Sequence, residues 1–218
     1  WSVLIFSANT YEDFDFMEMH EVNFIETLSM HYFNLMDSPL NPLLGKQLER
    51  TTVVNTIIII LNNLFLDVND VIGFRWYEVR SHMTQNRKWD GVGFSLKDKK
   101  LTPILIEFSV GIGFNNTDSK EEHVVNKLAS ACIKSIEYAT TATDLIVPIP
   151  EFIMPMFTFE LIIKLGEDIH VRRMYAVVPI PTRPALLQTF LSKTAVMYQW
   201  RDAVINPFKI ANKKQARY

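Results

Sequence analysis

The sequence predicts an α/β fold in which a mixed central sheet is flanked by helices. Apolar residues follow helical spacing up to about residue 70, period two over 72–108, and helical spacing again over 117–139. Two further period-two runs follow, closed by another helical segment. The links among the first three strands are short and hairpin-like. That excludes a doubly wound, all-parallel sheet, because parallel neighbours need a crossover connection of a dozen or more residues.

In EVNFIETLSMHYFNLM, Phe24, Leu28, His31, Tyr32 and Leu35 recur at helical spacing, and Pro39, Pro42 and Gly45 end that helix in a loop. A second helix starts near Glu49. Val54, Ile57, Ile58, Leu61, Leu64 and Phe65 form its stripe, with Asn55, Asn62 and Asn63 opposite. The β-branched isoleucines favour a strand, but the length of the run and the asparagine spacing favour a helix. IGFRWYEVR alternates Ile72, Phe74, Trp76 and Glu78 against Gly73, Arg75, Tyr77 and Val79, which predicts a strand. DGVGFSL and TPILIEFSV predict two more, turned by the charged KDKK.

TDSKEEHVVNKLASACIKSIEYA predicts a helix capped by Thr117 or Ser119, with Glu121 and Glu122 in its first turn. Its inward face is Val125, Leu128, Ala129, Cys132 and Ile136. The proline-punctuated VPIPEFIMP reads as a linker. MFTFELIIKL and IHVRRMYAVVPI, separated by GED, read as a hairpin. A last helix, RPALLQTFLSKTAVMYQWRDAVI, takes Pro184 in its first turn, and NPFKIANKKQARY is a polar, basic end. The whole reads as a single domain: a helical extension over 1–46, a core over 47–180, and a C-terminal helix with a basic tail over 181–218.

Hydrophobic residues make up 48% of the 218, ample for a continuous core, and the net charge of −2 exerts no global pull toward nucleic acid. A local basic stripe is compatible with that total. The single cysteine, Cys132, cannot form an internal disulfide, which favours an intracellular compartment, nuclear or cytoplasmic. Its apolar helical surroundings assign it to packing. VVNTIIIILNNLFL, from Val53, is interrupted by asparagines and falls short of the roughly 20 apolar residues a bilayer needs, so no membrane span is expected. The chain opens on Trp1 rather than Met, so its natural start, and any signal or transit peptide, can lie upstream.

One stretch points to chemistry: WDGVGFSLKDKKLTPILIEFSVG, residues 89–111. Asp90 heads one strand and Glu107 closes the next. A carboxylate beside PILIEFSV costs several kcal/mol to desolvate unless a cation pairs with it. A hairpin of this length sets the two carboxylates side by side, where they repel unless a cation lies between them. Alternation puts Leu105, Glu107 and Ser109 on one face and Ile104, Ile106, Phe108 and Val110 on the other. Two readings stay open: a structural partner for Glu107, such as Arg75 or Arg80, or a hard divalent ion such as Mg²⁺, held by one or two carboxylates, water and substrate phosphate. Asp90 before Gly91 is also a turn signature.

FRWYEVRSHMTQNRKWDGVGF, continued by PILIEFS, resembles the PD-(D/E)XK nuclease-like superfamily, and within it an uncharacterised fungal branch. The resemblance covers roughly residues 47–140. It implies a restriction-endonuclease-like core, with Asp90 and Glu107 binding Mg²⁺ (or Mn²⁺) and a helical Glu, here Glu49, in support. Glu78, in the Arg-Trp-x-Glu strand, is an auxiliary candidate or a structural partner.

Two departures stand out. Trp89 replaces the proline before the Asp, and Ser109 replaces the motif lysine, supplying an oxygen but no positive charge. Some members take the lysine from the following helix, which makes Lys120 and Lys127 candidates. Lys127 lies away from the inward face and reads as a solvent lysine, which leaves Lys120. Arg172 and Arg173 on the late hairpin, and the tail lysines Lys209, Lys213 and Lys214, are candidate phosphate contacts.

The implied function is a nuclease-like module, degenerate as a pseudoenzyme, that binds DNA, RNA or a protein partner. The alternative is an active Mg²⁺-dependent hydrolase of phosphodiesters using Asp90 and Glu107. The five histidines are scattered and no Cys-x-x-Cys pair exists, so a zinc site is not expected.

Overall fold

The computed structural model describes residues 18–44, 49–108, 118–140, 147–153, 156–165 and 169–215. Its elements run α1 (His20–Asp37), α2 (Glu49–Asn55), α3 (Ile57–Leu64), β1 (Ile72–Ser81), β2 (Arg87–Ser95), β3 (Ile104–Phe108), α4 (Asp118–Thr140), β4 (Val147–Ile153), β5 (Met156–Lys164), β6 (His170–Pro179), α5 (Pro184–Leu191) and α6 (Thr194–Gln215). The fold is mixed α/β, with six strands laid side by side in chain order. β1–β2–β3 and β4–β5–β6 are each antiparallel, whereas β3 and β4 run parallel and are joined through α4. Two antiparallel halves therefore meet along a short parallel seam, where Glu107 pairs with Glu151 and Phe108 with Phe152.

Strand alternation splits the apolar residues between two faces. Ile104, Ile106 and Phe108 of β3 join Phe157, Phe159 and Leu161 of β5 in the larger cluster. Phe24 and Leu28 of α1, Ile57 and Leu61 of α3, Phe190 of α5 and Trp200 of α6 close over it. On the opposite face Val92, Leu105 and Ile162 meet Leu128, Ala131, Cys132 and Ile136 of α4. Helices thus cover both faces of the strands. Cys132 is fully buried in the second cluster, and burial pushes its thiol pKa up, as packing rather than reactivity requires.

The Gly-Val-Gly of β2 answers to its neighbours. A Cβ at Gly91 would lie 2.7 Å from the Trp76 ring, and one at Gly93 would lie 2.9 Å from the Cβ of Ile104. Without those carbons β1 and β3 side chains close over β2, and Phe74 stacks on Trp76 at 5.6 Å between ring centroids. Any larger residue would overpack the face, at a cost of about 1–3 kcal/mol.

Four sequence expectations are corrected. The second helix breaks at Thr56, whose Oγ1 donates to Thr52 O at 2.7 Å, and the break shifts the helical phase. Val53 is therefore buried, and Val54 is 52% exposed. The segment read as a linker contains β4. The last helix is two helices, separated at Ser192 and Lys193, where Ser192 Oγ donates to Thr189 O at 2.7 Å. Finally, α6 continues through the stretch read as a basic end, as far as Gln215. No helix among the described residues is long and apolar enough to cross a membrane.

Candidate active site at the β2–β3 rim

The β2–β3 ladder runs Gly93↔Ile104, Val92↔Leu105 and Gly91↔Ile106. One step further along that register, Asp90 stands level with Glu107. There the Asp90 side chain reaches across, and its Oδ2 accepts a hydrogen bond from the Phe108 backbone N–H at 2.8 Å. The sheet rim is thus held by a carboxylate. Glu107 shares its face with Leu105, the face that α4 covers.

The cation beside Glu107 comes from α4. Lys127 Nζ donates to Glu107 Oε1, and the two side chains are only 24% and 16% exposed. The same ammonium lies 5.0 Å from the centroid of the Trp89 ring. Trp89 is itself buried and anchored, its Nε1 donating to Thr84 Oγ1 at 2.9 Å. Trp89 is therefore a platform for the lysine. Neither Arg75 nor Arg80 pairs with Glu107; Arg75 lies instead over the Phe94 ring at 4.6 Å.

Placing Lys127 in solvent was an error of helical phase. Ala131 and Ser135, at four-residue steps beyond Lys127, are both buried. The inward face of α4 therefore extends toward Lys127, which sits on its flank, and a long stem carries the charge inward. The Lys120 side chain, Ser109 and the Glu49 side chain lie outside the described residues.

β1 contributes the remaining feature. Its register steps from Trp76↔Gly91 to Val79↔Trp89, so two residues, Tyr77 and Glu78, oppose the single Asp90. Both have left-handed backbone, φ 63° and 56°. Such a conformation costs about 1–3 kcal/mol for each non-glycine residue and concentrates at functional sites. Glu78 turns outward to an exposed pair with Lys88 at 2.6 Å, and that hydrogen bond holds its carboxyl below the usual range. Glu78 is thus a structural partner.

Electrostatics set Glu107 apart. Burial raises its pKa, and the nearby Asp90 charge adds to the rise; the Lys127 hydrogen bond and charge, and Arg87, oppose it without cancelling it. A raised folded-state pKa means that the folded chain holds this proton longer than the unfolded chain as pH rises. Stability falls as pH climbs from the ordinary glutamate range through the raised value. Glu107→Gln is expected to remove that fall. Denaturant melts across a pH series would show a shallower slope for the variant, whereas parallel curves would refute the assignment.

Two carboxylates at one level, each with one oxygen engaged, leave Asp90 Oδ1 and Glu107 Oε2 without a hydrogen bond among the described residues. No group of three His, Cys, Asp or Glu that could hold a metal occurs among them. Such a donor set fits Mg²⁺ or Mn²⁺, bound by one or two carboxylates, water and substrate phosphate, and does not fit a protein-closed zinc site. Glu151, in a segment read as a linker, is level with Glu107 across the parallel seam, a neighbour that alternation patterns could not reveal.

The late-hairpin arginines are elsewhere. Arg172 Nε and Nη2 both donate to Glu160, which is 1% exposed, and Arg173 lies over the Tyr175 ring at 4.6 Å. Their strand, β6, is three positions from β3, about 14 Å at normal strand spacing. The side chains of Lys209, Lys213 and Lys214 are outside the described residues. No family model, curated protein or solved structure matches the chain.

Proposed function

We propose that this chain is a PD-(D/E)XK nuclease-like module whose rim hydrolyses phosphodiesters with Mg²⁺ or Mn²⁺, using Asp90, Glu107 and Lys127. The observation that carries the reading is the arrival of the Lys127 ammonium, from the helix after β3, on the carboxylate next to Asp90. It supplies the positive charge that Ser109 does not.

Asp90 and Glu107 would hold the ion, which when bound would polarise a phosphoryl oxygen and lower the pKa of a coordinated water. The chain's own groups divide the remaining work. Asp90 stays aligned through the Phe108 N–H. Glu107 anchors the Lys127 ammonium through Oε1, which leaves Oε2 to face the ion. Lys127, held between Glu107 and the Trp89 face, can donate N–H bonds to that water or to a non-bridging phosphate oxygen. Hydrolysis then breaks the bond from phosphorus to the leaving oxygen as water adds to phosphorus, and the leaving oxygen takes up a proton.

One observation favours a second reading, a module that binds without cleaving. Lys127 neutralises Glu107 within the protein itself, which is also how a buried carboxylate is satisfied structurally. Cleavage of labelled DNA and RNA with Mg²⁺ or Mn²⁺, with Asp90→Asn as control, separates the two. Metal-dependent turnover lost in the variant supports the hydrolase. Equal rates in both proteins, or none in either, leave the binding module.

A further inference from the structure

Several charges around the rim cancel in pairs. Lys88 meets Glu78, and Lys127 meets Glu107. Arg50 and Arg87 remain, both exposed and without an ion pair among the described residues. Arg87 acts electrostatically on Glu107. Arg50, on α2, has its guanidinium carbon 5.5 Å from the centroid of the Tyr77 ring. Arg50 is exposed and has no ion pair among the described residues, so its N–H groups are available, and a guanidinium can grip a phosphate through two parallel hydrogen bonds.

Tyr77 is the second half of the feature. It sits in the left-handed bulge opposite Asp90, and bulges of this kind re-aim a side chain. Its hydroxyl oxygen is buried and has no hydrogen-bond partner among the described residues. A buried, unpartnered hydroxyl in a native fold calls for an explanation, and a ligand oxygen is one. Both the Arg50 and the Asp90 charges act on the Tyr77 hydroxyl.

We infer that Arg50 and Tyr77 form a phosphate-holding subsite beside Asp90, which grips a phosphate of a nucleic-acid strand next to the one at the carboxylates. The guanidinium edge would take two phosphate oxygens and the Tyr77 hydroxyl would donate to one of them. This rests on the reading of Asp90 and Glu107 as a phosphodiester site. Arg50 lies over a side chain of β1 and Glu107 is on β3, with β2 between the two strands, which favours a chain of phosphates over a lone one, because a lone phosphate would engage only one of the two.

Binding of a labelled oligothymidylate strand to the full chain, with Ca²⁺ in place of Mg²⁺ and over a range of salt, tests this. Arg50→Ala is expected to weaken binding about tenfold and to lower the salt slope by about one. Arg50→Lys should recover only part of the affinity, and Tyr77→Phe should weaken binding several-fold with the salt slope unchanged. Unaltered binding in Arg50→Ala and Tyr77→Phe, or no binding by the unsubstituted chain, overturns the subsite. Inorganic phosphate that binds in an Arg50-dependent way where the oligonucleotide does not overturns the strand as its ligand. Cleavage is scored separately: Arg50-dependent binding with no metal-dependent turnover sustains the subsite and removes the hydrolase, and turnover with Arg50-independent binding does the reverse.

Discussion

Asp90→Asn is expected to cut metal-dependent cleavage by about 10²–10³-fold while changing stability little. An asparagine keeps an oxygen that can accept from the Phe108 N–H, so the rim between β2 and β3 should survive the substitution. The charge is what disappears. A bound ion contributes several kcal/mol of transition-state charge stabilisation, and about 1.4 kcal/mol corresponds to a tenfold change in rate, which sets the expected loss. The variant should also need more Mg²⁺ to reach its residual rate. A metal titration of initial rates, with thermal melts of both proteins, would check each part. A variant that cleaves as fast as the unsubstituted chain would show that Asp90 is only a strand-end clasp.

Arg201→Ala should have the largest effect on stability, about 3–5 kcal/mol, or a melting temperature lower by roughly 10 °C. Arg201 is 5% exposed at its side chain and ties α6 to the end of α3. Its Nη1 donates to Asp67 Oδ1 at 2.6 Å and to Leu64 O at 3.3 Å, and its Nη2 donates to Asp202 Oδ1 at 2.8 Å. The guanidinium also lies over the Tyr198 ring at 4.3 Å. Asp67 is 9% exposed, so alanine would leave a nearly buried carboxylate with only His20 Nδ1, at 3.9 Å, beside it, and that desolvation dominates the loss. Asp202 is 51% exposed and would rehydrate at little cost. Combining Arg201→Ala with Asp67→Asn should therefore recover part of the stability. Denaturant unfolding of the two single variants and the double variant measures this, and additive losses would contradict it.

Much of the architecture was legible because it rests on local periodicity. Period two over IGFRWYEVR, DGVGFSL and TPILIEFSV becomes β1 to β3, and the helix carrying Leu128, Cys132 and Ile136 becomes α4. The two carboxylates were legible because an acid in so apolar a run must meet a cation. β4 was hidden by its prolines, which ordinarily bar a residue from a central strand. Here Pro148 and Pro150 pair with β5 but come before the two residues that pair with β3, so their missing N–H groups interrupt nothing in the described β3–β4 pairing. The breaks at Thr56 and Ser192 carry side-chain hydrogen bonds to the backbone but no glycine or proline, so composition does not reveal them. Lys127 was misplaced because the helix face was drawn from apolar residues alone, and Ser135, buried on that face, is polar. The β1 bulge has no glycine to announce it.

The indole beneath the Lys127 ammonium gives the rim an optical handle of its own. A cation resting on the face of Trp89 perturbs that ring's emission, so any ion or anion that draws the ammonium away should be read out as a change in intrinsic fluorescence, with no label attached. Trp200 lies in the cluster on the other face, away from the Lys127 ammonium.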